Sequence, residues 1–244
     1  MIADATATAR ATATATAETG PGLLGRRAVV RAADRDTVDP VALIRTHDGD
    51  EAAHLVATGG RLRRVARDMA VDLSKAHIPE AGSTPAGVRL GVLGSDSDSI
   101  AVAAAAALLP GHVDFGIWSG VDRFHYWSQL LAGEGPCGSV LHAPSRVLRD
   151  QSGAIVGAVV VTHMAASEWW SGDPWIPEIF VVAAFQGRGL GSLLLGHAMR
   201  TCSHSGHRRV GLTVSEGNPA RNLYERFGFR PFRTTWLIER SAGR

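Results

Sequence analysis

Residues 178–191 read EIFVVAAFQGRGLG, an apolar run followed directly by a glycine-rich turn. The apolar run predicts a strand, and the pattern after the turn predicts a helix over about Leu190–Cys202. Glycines in such a turn let a ligand approach the backbone, because they carry no Cβ atom. The free N–H groups at a helix N-terminus attract anions. The sequence therefore predicts a binding site for a phosphorylated cofactor between this strand and this helix.

The glycine spacing in this turn distinguishes it from two common phosphate-binding motifs. A Walker A motif needs a Lys followed by Ser or Thr after its last glycine, whereas Ser192 follows Gly191 and no Lys is nearby. The dinucleotide-binding fingerprint needs glycines spaced G-x-G-x-x-G, and Gly187, Gly189 and Gly191 fall one residue short of it. The turn therefore matches neither motif.

A second block, residues 210–229, reads VGLTVSEGNPARNLYERFGF. Its first residues are rich in β-branched side chains and predict a strand, and Glu216–Pro219 is turn sequence. Asn218 can cap a helix that has Pro219 at its first position, and Gly228 can end that helix. The block therefore predicts a strand, a turn and a short helix.

Together, the two blocks resemble the GNAT (GCN5-related N-acetyltransferase) superfamily. The first block resembles its acetyl-CoA motif, Q/R-x-x-G-x-G/A, at Gln186, Gly189 and Gly191. The second block resembles another motif of the family at Asn218, Ala220, Tyr224, Gly228 and Phe229.

The resemblance implies an α/β (α+β) GNAT fold, in which a mixed, mostly antiparallel central sheet is flanked by helices and splayed at the acyl-CoA site. It implies acetyl-CoA as cofactor, with the pyrophosphate on the glycine turn and the pantetheine arm along the preceding strand. The expected cofactor-binding residues are Phe180, Val181, Val182, Gln186, Gly187, Arg188, Gly189, Leu190, Gly191, Asn218, Ala220 and Tyr224.

Acyl transfer to an amine requires a base for the amine and an acid for the leaving thiolate. The resemblance implies Tyr224 as the general acid. A carboxylate often serves as base in this family, and Glu178 stands at the mouth of the central strand. His163, at the end of the preceding strand, is a competing candidate because its ordinary pKa suits neutral pH. Cys137 is an alternative nucleophile, although direct transfer is typical of the family.

The resemblance implies an acceptor site framed by the region after the first helix of the domain and by the loop before the central strand. Both segments are rich in aromatic residues, which suit an apolar or cation-binding cleft. We therefore expect a small amine with an apolar or aromatic portion. The candidate acceptor-binding residues are Trp118, Trp127, Trp169, Trp170, Trp175 and the loop carboxylate Glu168, with Phe124, His125 and Tyr126 nearby.

Composition narrows the function further. A net charge of +2 argues against nucleic acid as a partner. The two cysteines support neither a disulfide framework nor a zinc site, and no metal is expected. No apolar run is long enough to span a membrane, and the N-terminus lacks the pattern of a secretory signal. We expect a cytoplasmic enzyme, with a homodimer as one option.

The chain divides into three predicted parts. Residues 1–24 are an Ala/Thr-rich tail of low complexity that is expected to be disordered. Residues 25–86 form an extension and linker, with a strand over Arg26–Ala32 and helices at Val41–Ile44 and within Leu55–Leu73. The second helical stretch is predicted from the helix-like spacing of Leu55, Leu62, Val65, Met69 and Leu73.

Residues 87–240 are the acetyltransferase domain. It is predicted to begin with a strand at Val88–Leu93 and a helix at Ser99–Leu109, which Ser97 or Asp98 can cap and Pro110-Gly111 ends. A loop over Met164–Pro177 precedes the central strand, and a last strand is expected near Arg233–Glu239.

These observations favour an acetyl-CoA-dependent N-acetyltransferase that acts on a primary amine of a small molecule by direct attack on the thioester. A second interpretation is a peptide or protein N-acetyltransferase, which needs an open groove. A third is a non-catalytic acyl-CoA-binding sensor or partner subunit. The complete glycine turn, Asn218 and Tyr224 argue against the third.

Overall fold

One mixed sheet of ten strands carries the architecture of the protein. The computed structural model describes residues 28–32, 41–79, 84–115 and 122–241, so the predicted tail and Trp118 lie outside it. The strands are β1 (Ala28–Ala32), β2 (Val41–Thr46), β3 (Arg61–Asp72), β4 (Arg89–Val92), β5 (Ser139–Val140), β6 (Arg146–Arg149), β7 (Ile155–His163), β8 (Pro174–Val181), β9 (Arg209–Ser215) and β10 (Arg230–Ser241).

In the described part of the chain, five α-helices accompany the sheet, and an Asp caps the N-terminus of three of them. The side chains of Asp48, Asp96 and Asp122 accept hydrogen bonds from N–H groups of the first turns of α1, α2 and α3. Within the described ranges, every helix is too short or too polar to span a lipid bilayer. The helices are α1 (Gly49–Ala57), α2 (Ser97–Ala107), α3 (Arg123–Ala132), α4 (Leu190–His204) and α5 (Ala220–Arg226).

The strand order is β1-β2-β10-β3-β9-β8-β7-β6-β4, and the short β5 pairs with β7. All neighbours run antiparallel except β8 and β9, which are parallel. The central strand β7 is buried over Ile155–Thr162 and has an almost continuous apolar sequence, as expected for a strand covered on both faces. This architecture agrees with the mixed GNAT-type sheet predicted from the sequence.

The two faces of the sheet are covered by different helices. On one face, called the α4 face, Leu194 and Met199 of α4 pack with Tyr224 and Phe227 at the α5 end and with Leu212 of β9. On the other, called the α2 face, Ile100 of α2 and Trp127 of α3 pack against Ala158 and Val160. Each face therefore has its own apolar core, and the functional groups described below lie between them.

The N-terminal part differs from the prediction. The helix predicted at Val41–Ile44 is the strand β2, and the helical stretch predicted within Leu55–Leu73 is helix α1 followed by the strand β3. The strand predicted at Arg26–Ala32 is confirmed over Ala28–Ala32. In the sheet, β3 lies between β9 and β10, so residues 61–72 complete the same sheet as the strands of the predicted domain.

The apolar residues of β3 fit both the period of a helix and the two-residue period of a strand. Val65 and Met69 are four residues apart, which places them on one face of a helix and also on one face of a strand. Met69, Val71 and Leu73 then follow at the two-residue spacing of a strand and are buried. Leu62, counted in the helical pattern, is 46% exposed. The period of two was therefore the correct one.

The predicted elements of the remaining chain are confirmed with small shifts. Helix α2 begins at Ser97 with Asp96 as its cap, earlier than predicted, and β8 begins at Pro174, inside the predicted loop. Helices α4 and α5 and strands β9 and β10 occupy the predicted segments.

Gly211 in β9 lies against two buried tryptophans, which suggests a test of the packing. A Cβ atom at this position would lie 2.6 Å from Trp170 Cη2 and closer still to the Trp175 ring. We expect Gly211→Ala to destabilise the protein by about 1–3 kcal/mol, because the overpacked indoles must move. Urea unfolding measures this, with Gly94→Ala as the control since no heavy atom lies within 4 Å of its added Cβ. Equal midpoints for the two variants would show that the tryptophans repack freely.

Candidate active site

The parallel strands β8 and β9 separate after a short contact. They pair only at Trp175 with Gly211 and at Ile176 with Leu212, although β8 continues to Val181 and β9 to Ser215. The second half of β8 therefore has β7 on one side and a gap on the other. This gap, called the splay, is the feature expected to receive an extended ligand.

The backbone of β8 presents hydrogen-bonding groups to the splay. The N–H of Val182 donates to the C=O of Val156 beside β7 at 2.9 Å. Because the bonding direction alternates along a strand, the N–H groups of Phe180 also face β7, whereas those of Ile179 and Val181 face the splay. Unpaired groups on a strand edge are what an extended ligand needs to bind as an added strand.

The predicted phosphate turn leads into a helix whose N-terminus has no side-chain cap. Gly189 is the N-cap of α4 with a φ of 78°, and no side chain accepts from the first N–H groups. Gly187 has a φ of 74°, and a Cβ added to either glycine would meet no atom within 4 Å. Since α1, α2 and α3 all have Asp caps, the bare end of α4 stands out as an open anion site.

Two side chains of the turn bind the protein itself. Gln186 Nε2 donates to the C=O of Val181 at 2.9 Å and to the C=O of Ala107 at 3.2 Å. These bonds fix the turn to the end of β8 and to the end of α2. The exposed Arg188 donates to the C=O of Ala184 at 3.0 Å and lies 5.0 Å from the centre of the Phe185 ring. Arg188 thus places a positive charge beside the bare helix end.

Glu178 lies on β8 just beyond the point where the splay opens, with its carboxylate on the α2 face. Tyr126 of α3 donates its hydroxyl hydrogen to Glu178 Oε1 at 2.6 Å. Burial raises the pKa of Glu178 to about 7, while the Tyr126 hydrogen bond and the charge of Arg64 act in the opposite direction. Such a carboxyl exchanges a proton near neutral pH, as a general base must.

Tyr224 of α5 lies on the other side of the splay. Its ring is buried and packs against Phe229 with 6.1 Å between the ring centres. Burial raises its pKa, and the negative charges of Glu178 and Asp114 add to the effect. No described residue forms a hydrogen bond with its hydroxyl group. In the described part of the chain, Ser167 Oγ is the only fully buried side-chain oxygen or nitrogen without a partner, so the hydroxyl oxygen of Tyr224 is not fully buried. The Tyr224 hydroxyl therefore keeps access to the space beside it.

Asp114, in the loop after α2, organises a polar network at the end of β9. It accepts hydrogen bonds from Ser215 Oγ and from Asn218 Nδ2, the latter at 2.9 Å. Arg64 Nε donates to Ser215 Oγ at 2.6 Å and lies 3.8 Å from Asp114 Oδ1. Asn218 Oδ1 also accepts from the N–H of Ala220 at 2.8 Å and so caps α5. One N–H of the Asn218 amide remains for the predicted cofactor contact.

Most of the predicted acceptor tryptophans are packing residues. Trp127 is buried on the α2 face and contacts Phe180 edge-on. Trp170 and Trp175 are also buried and stack edge-on at 4.9 Å between ring centres. Trp169 is half-buried and holds the Arg233 guanidinium 3.3 Å above its ring. The three loop tryptophans thus form one cluster at the start of β8, and only Trp169 remains partly open.

The competing catalytic candidates lie in less suitable surroundings. His163 is exposed at the end of β7, three residues beyond Val160, which pairs with Glu178. Glu168 is exposed in the loop before β8. Burial raises the pKa of Cys137 to about 11, so its thiol stays protonated at neutral pH.

Several site residues could not be assigned roles from the sequence. In the sequence, Tyr126 is one aromatic residue among several neighbours, and Asp114, Ser215 and Arg64 belong to no recognisable motif. Arg64 reaches the site because β3 pairs beside β9, with Ala66 opposite Ser215. Polar residues after the Pro110-Gly111 stop were the one local signal for Asp114.

Comparisons with known proteins agree with this geometry. Residues 118–229 match the model of the acetyltransferase (GNAT) family. No curated protein sequence matches the chain significantly.

Solved structures show the same fold. A GCN5-related N-acetyltransferase from Sphaerobacter thermophilus is 21% identical, with a TM-score of 0.57 over 82% of this chain and 59% of that one. A tandem GNAT protein from the clavulanic acid biosynthesis pathway is 19% identical, with a TM-score of 0.54 over 88% of this chain and 63% of that one. The chain thus spans less than two thirds of either protein. A functionally unknown conserved protein from Staphylococcus epidermidis is 15% identical, with a TM-score of 0.53 over 80% of this chain and 68% of that one.

Proposed function

Because residues 118–229 match the model of the acetyltransferase (GNAT) family, we propose that the chain transfers an acetyl group from acetyl-CoA to the amine of a small molecule. The observation that carries the proposal is Glu178, a carboxyl with a pKa near 7 at the mouth of the splay. A carboxyl of ordinary pKa would be a weaker base for an amine at neutral pH.

The residues present fit acetyl-CoA, which would supply an activated thioester. The bare N-terminus of α4 and the open glycines Gly187 and Gly189 suit a pyrophosphate. The backbone N–H groups of Ile179 and Val181, which face the splay, suit the amides of a pantetheine arm. Helix α5 packs close to the turn, since a Cβ on Gly191 would lie 3.3 Å from Leu223 Cδ2, and it brings Tyr224 to the splay.

Glu178 would prepare the acceptor. Its carboxylate takes one proton from the amine nitrogen as the lone pair of that nitrogen forms the new C–N bond, and it then releases this proton to solvent. The Tyr126 hydroxyl holds this carboxylate through the 2.6 Å hydrogen bond and keeps it directed to one place.

Tyr224 would complete the exchange. As the C–S bond breaks, its hydroxyl gives a proton to the departing sulfur, and solvent later returns that proton. The raised pKa of Tyr224 keeps the phenol protonated at neutral pH, so it is always ready to donate.

One assay separates this function from the alternatives. The protein is incubated with acetyl-CoA and a panel of small amines and short peptides, and release of free thiol is measured. Turnover with small amines is expected. Turnover with peptides alone would indicate a peptide N-acetyltransferase, and binding of CoA without turnover on any acceptor would indicate a sensor.

Replacing Tyr224 with Phe is expected to lower kcat about 100-fold, because the departing sulfur loses its proton donor. The affinity for CoA, measured by calorimetry, should stay within about twofold of the wild-type value, since the ring is kept.

Tyr126→Phe is the matched control, as it removes the other tyrosine hydroxyl of the chain. The Tyr126 hydrogen bond lowers the pKa of Glu178, so its loss should move the pH–rate profile upward. A Tyr224→Phe variant with unchanged kcat would remove this residue from the mechanism.

A further inference from the structure

We propose that the acceptor carries a carboxylate close to its amine, and that Arg45 and Arg64 bind this carboxylate beside Glu178. The proposal rests on the proposed acetyl transfer and names its substrate class: an amino acid or a similar amino carboxylate. It also gives the N-terminal strands a role, because Arg45 lies on β2 and Arg64 on β3.

The strand register puts the two arginines side by side on one face. Leu237 of β10 pairs with Arg45 on one side and with Arg64 on the other. Directly opposed residues in a sheet project to the same face, so both arginines lie on the face of Leu237. Two strand spacings separate their Cα atoms by about 10 Å, and both long side chains can converge on one carboxylate.

Electrostatic interactions show which groups this face adjoins. Burial raises the pKa of Glu178, Tyr126 and Cys137; the charge of Arg64 opposes this rise at Glu178, and the charge of Arg45 opposes it at Tyr126 and Cys137. Arg45 and Arg64 also repel each other, since each positive charge disfavours the other. The charge of Arg64 therefore acts on Glu178, and the charge of Arg45 acts on Tyr126, the hydrogen-bond partner of Glu178.

Neither guanidinium is fully used by the protein. Arg64 is held through Nε by Ser215 Oγ at 2.6 Å, while its terminal nitrogens have no partner among the described residues. Arg45 is exposed and has no hydrogen bond or ion pair with any residue in the described ranges. Arg64 is 24% exposed at its side chain, so it has lost much of its hydration without gaining a complete set of protein partners.

The surrounding charges favour an anion. Arg64 lines a cavity of about 340 Å³ at the end of β9, together with Arg63 and Arg67. Its lining also includes Val113, Ser215 and one acidic residue, Glu216, which pairs with Arg67 at 2.9 Å. Arg63 pairs with Glu239, and Asp114 lies 3.8 Å from Arg64 Nε, so Arg45 adds a positive charge that has no acidic partner among the described residues.

A carboxylate matches this site better than a neutral group does. A guanidinium offers two parallel N–H donors that a carboxylate accepts as a pair. A carboxylate held by Arg45 and Arg64 would place an amine a few bonds away against Glu178. An amine without a carboxylate would leave both guanidinium groups without a partner.

Matched pairs of acceptors test the proposal. Thiol release is measured with L-phenylalanine against phenethylamine, L-leucine against isopentylamine and L-lysine against cadaverine. At least one amino acid is expected to exceed its amine in kcat/KM by about tenfold or more, because charge-assisted bonds are lost with the carboxylate. In Arg45→Met and Arg64→Met, this ratio should fall toward one.

Arg61→Met is the control. It removes an exposed arginine of β3, and its partner Glu239 remains paired with Arg63. This variant should keep the wild-type ratio. Equal use of amines and amino acids by the wild type, or an unchanged ratio in both Arg45→Met and Arg64→Met, would overturn the proposal.

A binding measurement keeps the proposal testable if acetyl transfer itself fails. The probes are N-acetyl-L-phenylalanine, N-acetyl-L-leucine and Nα-acetyl-L-lysine, titrated by calorimetry into the CoA-saturated protein. Binding of at least one probe that weakens about tenfold in both arginine variants would support the carboxylate site without turnover. No binding by any of the three would overturn it.

Discussion

Replacing Glu178 with Gln is expected to lower kcat/KM for acetyl transfer about 1,000-fold at pH 8, because the amide cannot accept a proton from the amine. The side chain keeps its shape, and its Oε1 can still accept the Tyr126 hydrogen bond seen at 2.6 Å. The loss is therefore one of chemistry rather than of packing. Initial rates of thiol release over a pH series give the measurement.

The pH dependence provides the sharper test of the same residue. Burial raises the pKa of Glu178 to about 7, and only the deprotonated form acts as a base. Activity of the wild type should rise as pH increases through about 7, and the Gln variant should lose this rise. His163→Asn, which removes the competing candidate, should keep it. If activity still rises with pH in Glu178→Gln but no longer does so in His163→Asn, then His163 and not Glu178 is the general base.

As pH rises, the stability of the protein should fall while its activity increases. The folded-state pKa of Glu178 lies above its ordinary value of 4.5, so the folded protein holds a proton that the unfolded chain releases. Stability is therefore lost as pH rises from about 4.5 through about 7, at a cost of about 3 kcal/mol. The neutral Gln carries no such cost, and urea unfolding at pH 8 should find the variant at least as stable as the wild type. A clearly less stable variant would mean that its low activity reflects misfolding.

The sequence was most informative where structure depends on neighbouring residues. The strand β8, the glycine turn and α4 follow one another directly, and each glycine with a left-handed φ is a local requirement. Asn218 likewise caps the helix that begins two residues later. Glu178 could be proposed as the base because it stands at the start of the same segment.

The residues that surround Glu178 depend on contacts between distant parts of the chain. Tyr126 lies 52 residues before its hydrogen-bond partner, and Arg64 lies 151 residues before Ser215. The second contact exists only because β3 pairs between β9 and β10. The sequence of β3 fits both a helix and a strand, so it could not reveal that this segment pairs between β9 and β10. It therefore could not reveal that Arg64 lies at the site either.

The loop tryptophans illustrate a different limit. Aromatic residues suit both a ligand cleft and a core, and composition cannot separate the two. Gly211 provides the space in which Trp170 and Trp175 are buried, and this glycine lies more than thirty residues further along the chain. Burial of the cluster therefore became visible only with the pairing of β8 and β9.

One buried ion pair is expected to hold strand β3 in its position. Breaking this pair should cause a large loss of stability, which is the second large effect that we expect. Asp68 of β3 is 2% exposed and accepts hydrogen bonds from Arg233 Nη2 at 2.6 Å and from Arg233 Nε at 2.7 Å. Thr213 of β9 donates to its other oxygen at 2.7 Å. The carboxylate thus joins the two strands that flank β3.

Arg233→Met is expected to destabilise the protein by about 3–5 kcal/mol, because it leaves the Asp68 charge buried with hydroxyl partners only. It also removes the cation that lies 3.3 Å from the centre of the Trp169 ring. Urea unfolding measures the loss. A second substitution, Asp68→Asn, removes the buried charge and should restore a large part of the stability to the double variant.

Arg230→Met is the control on the same strand, since Arg230 is exposed and its side chain bonds only backbone carbonyls. It should cost no more than about 1 kcal/mol. If Arg233→Met is equally mild, the apolar residues Met69 and Val71 set the position of β3 without the ion pair. If it is severe and Asp68→Asn relieves it, the charge fixes the strand that presents Arg64 to the site, and the N-terminal segment is then part of the catalytic architecture.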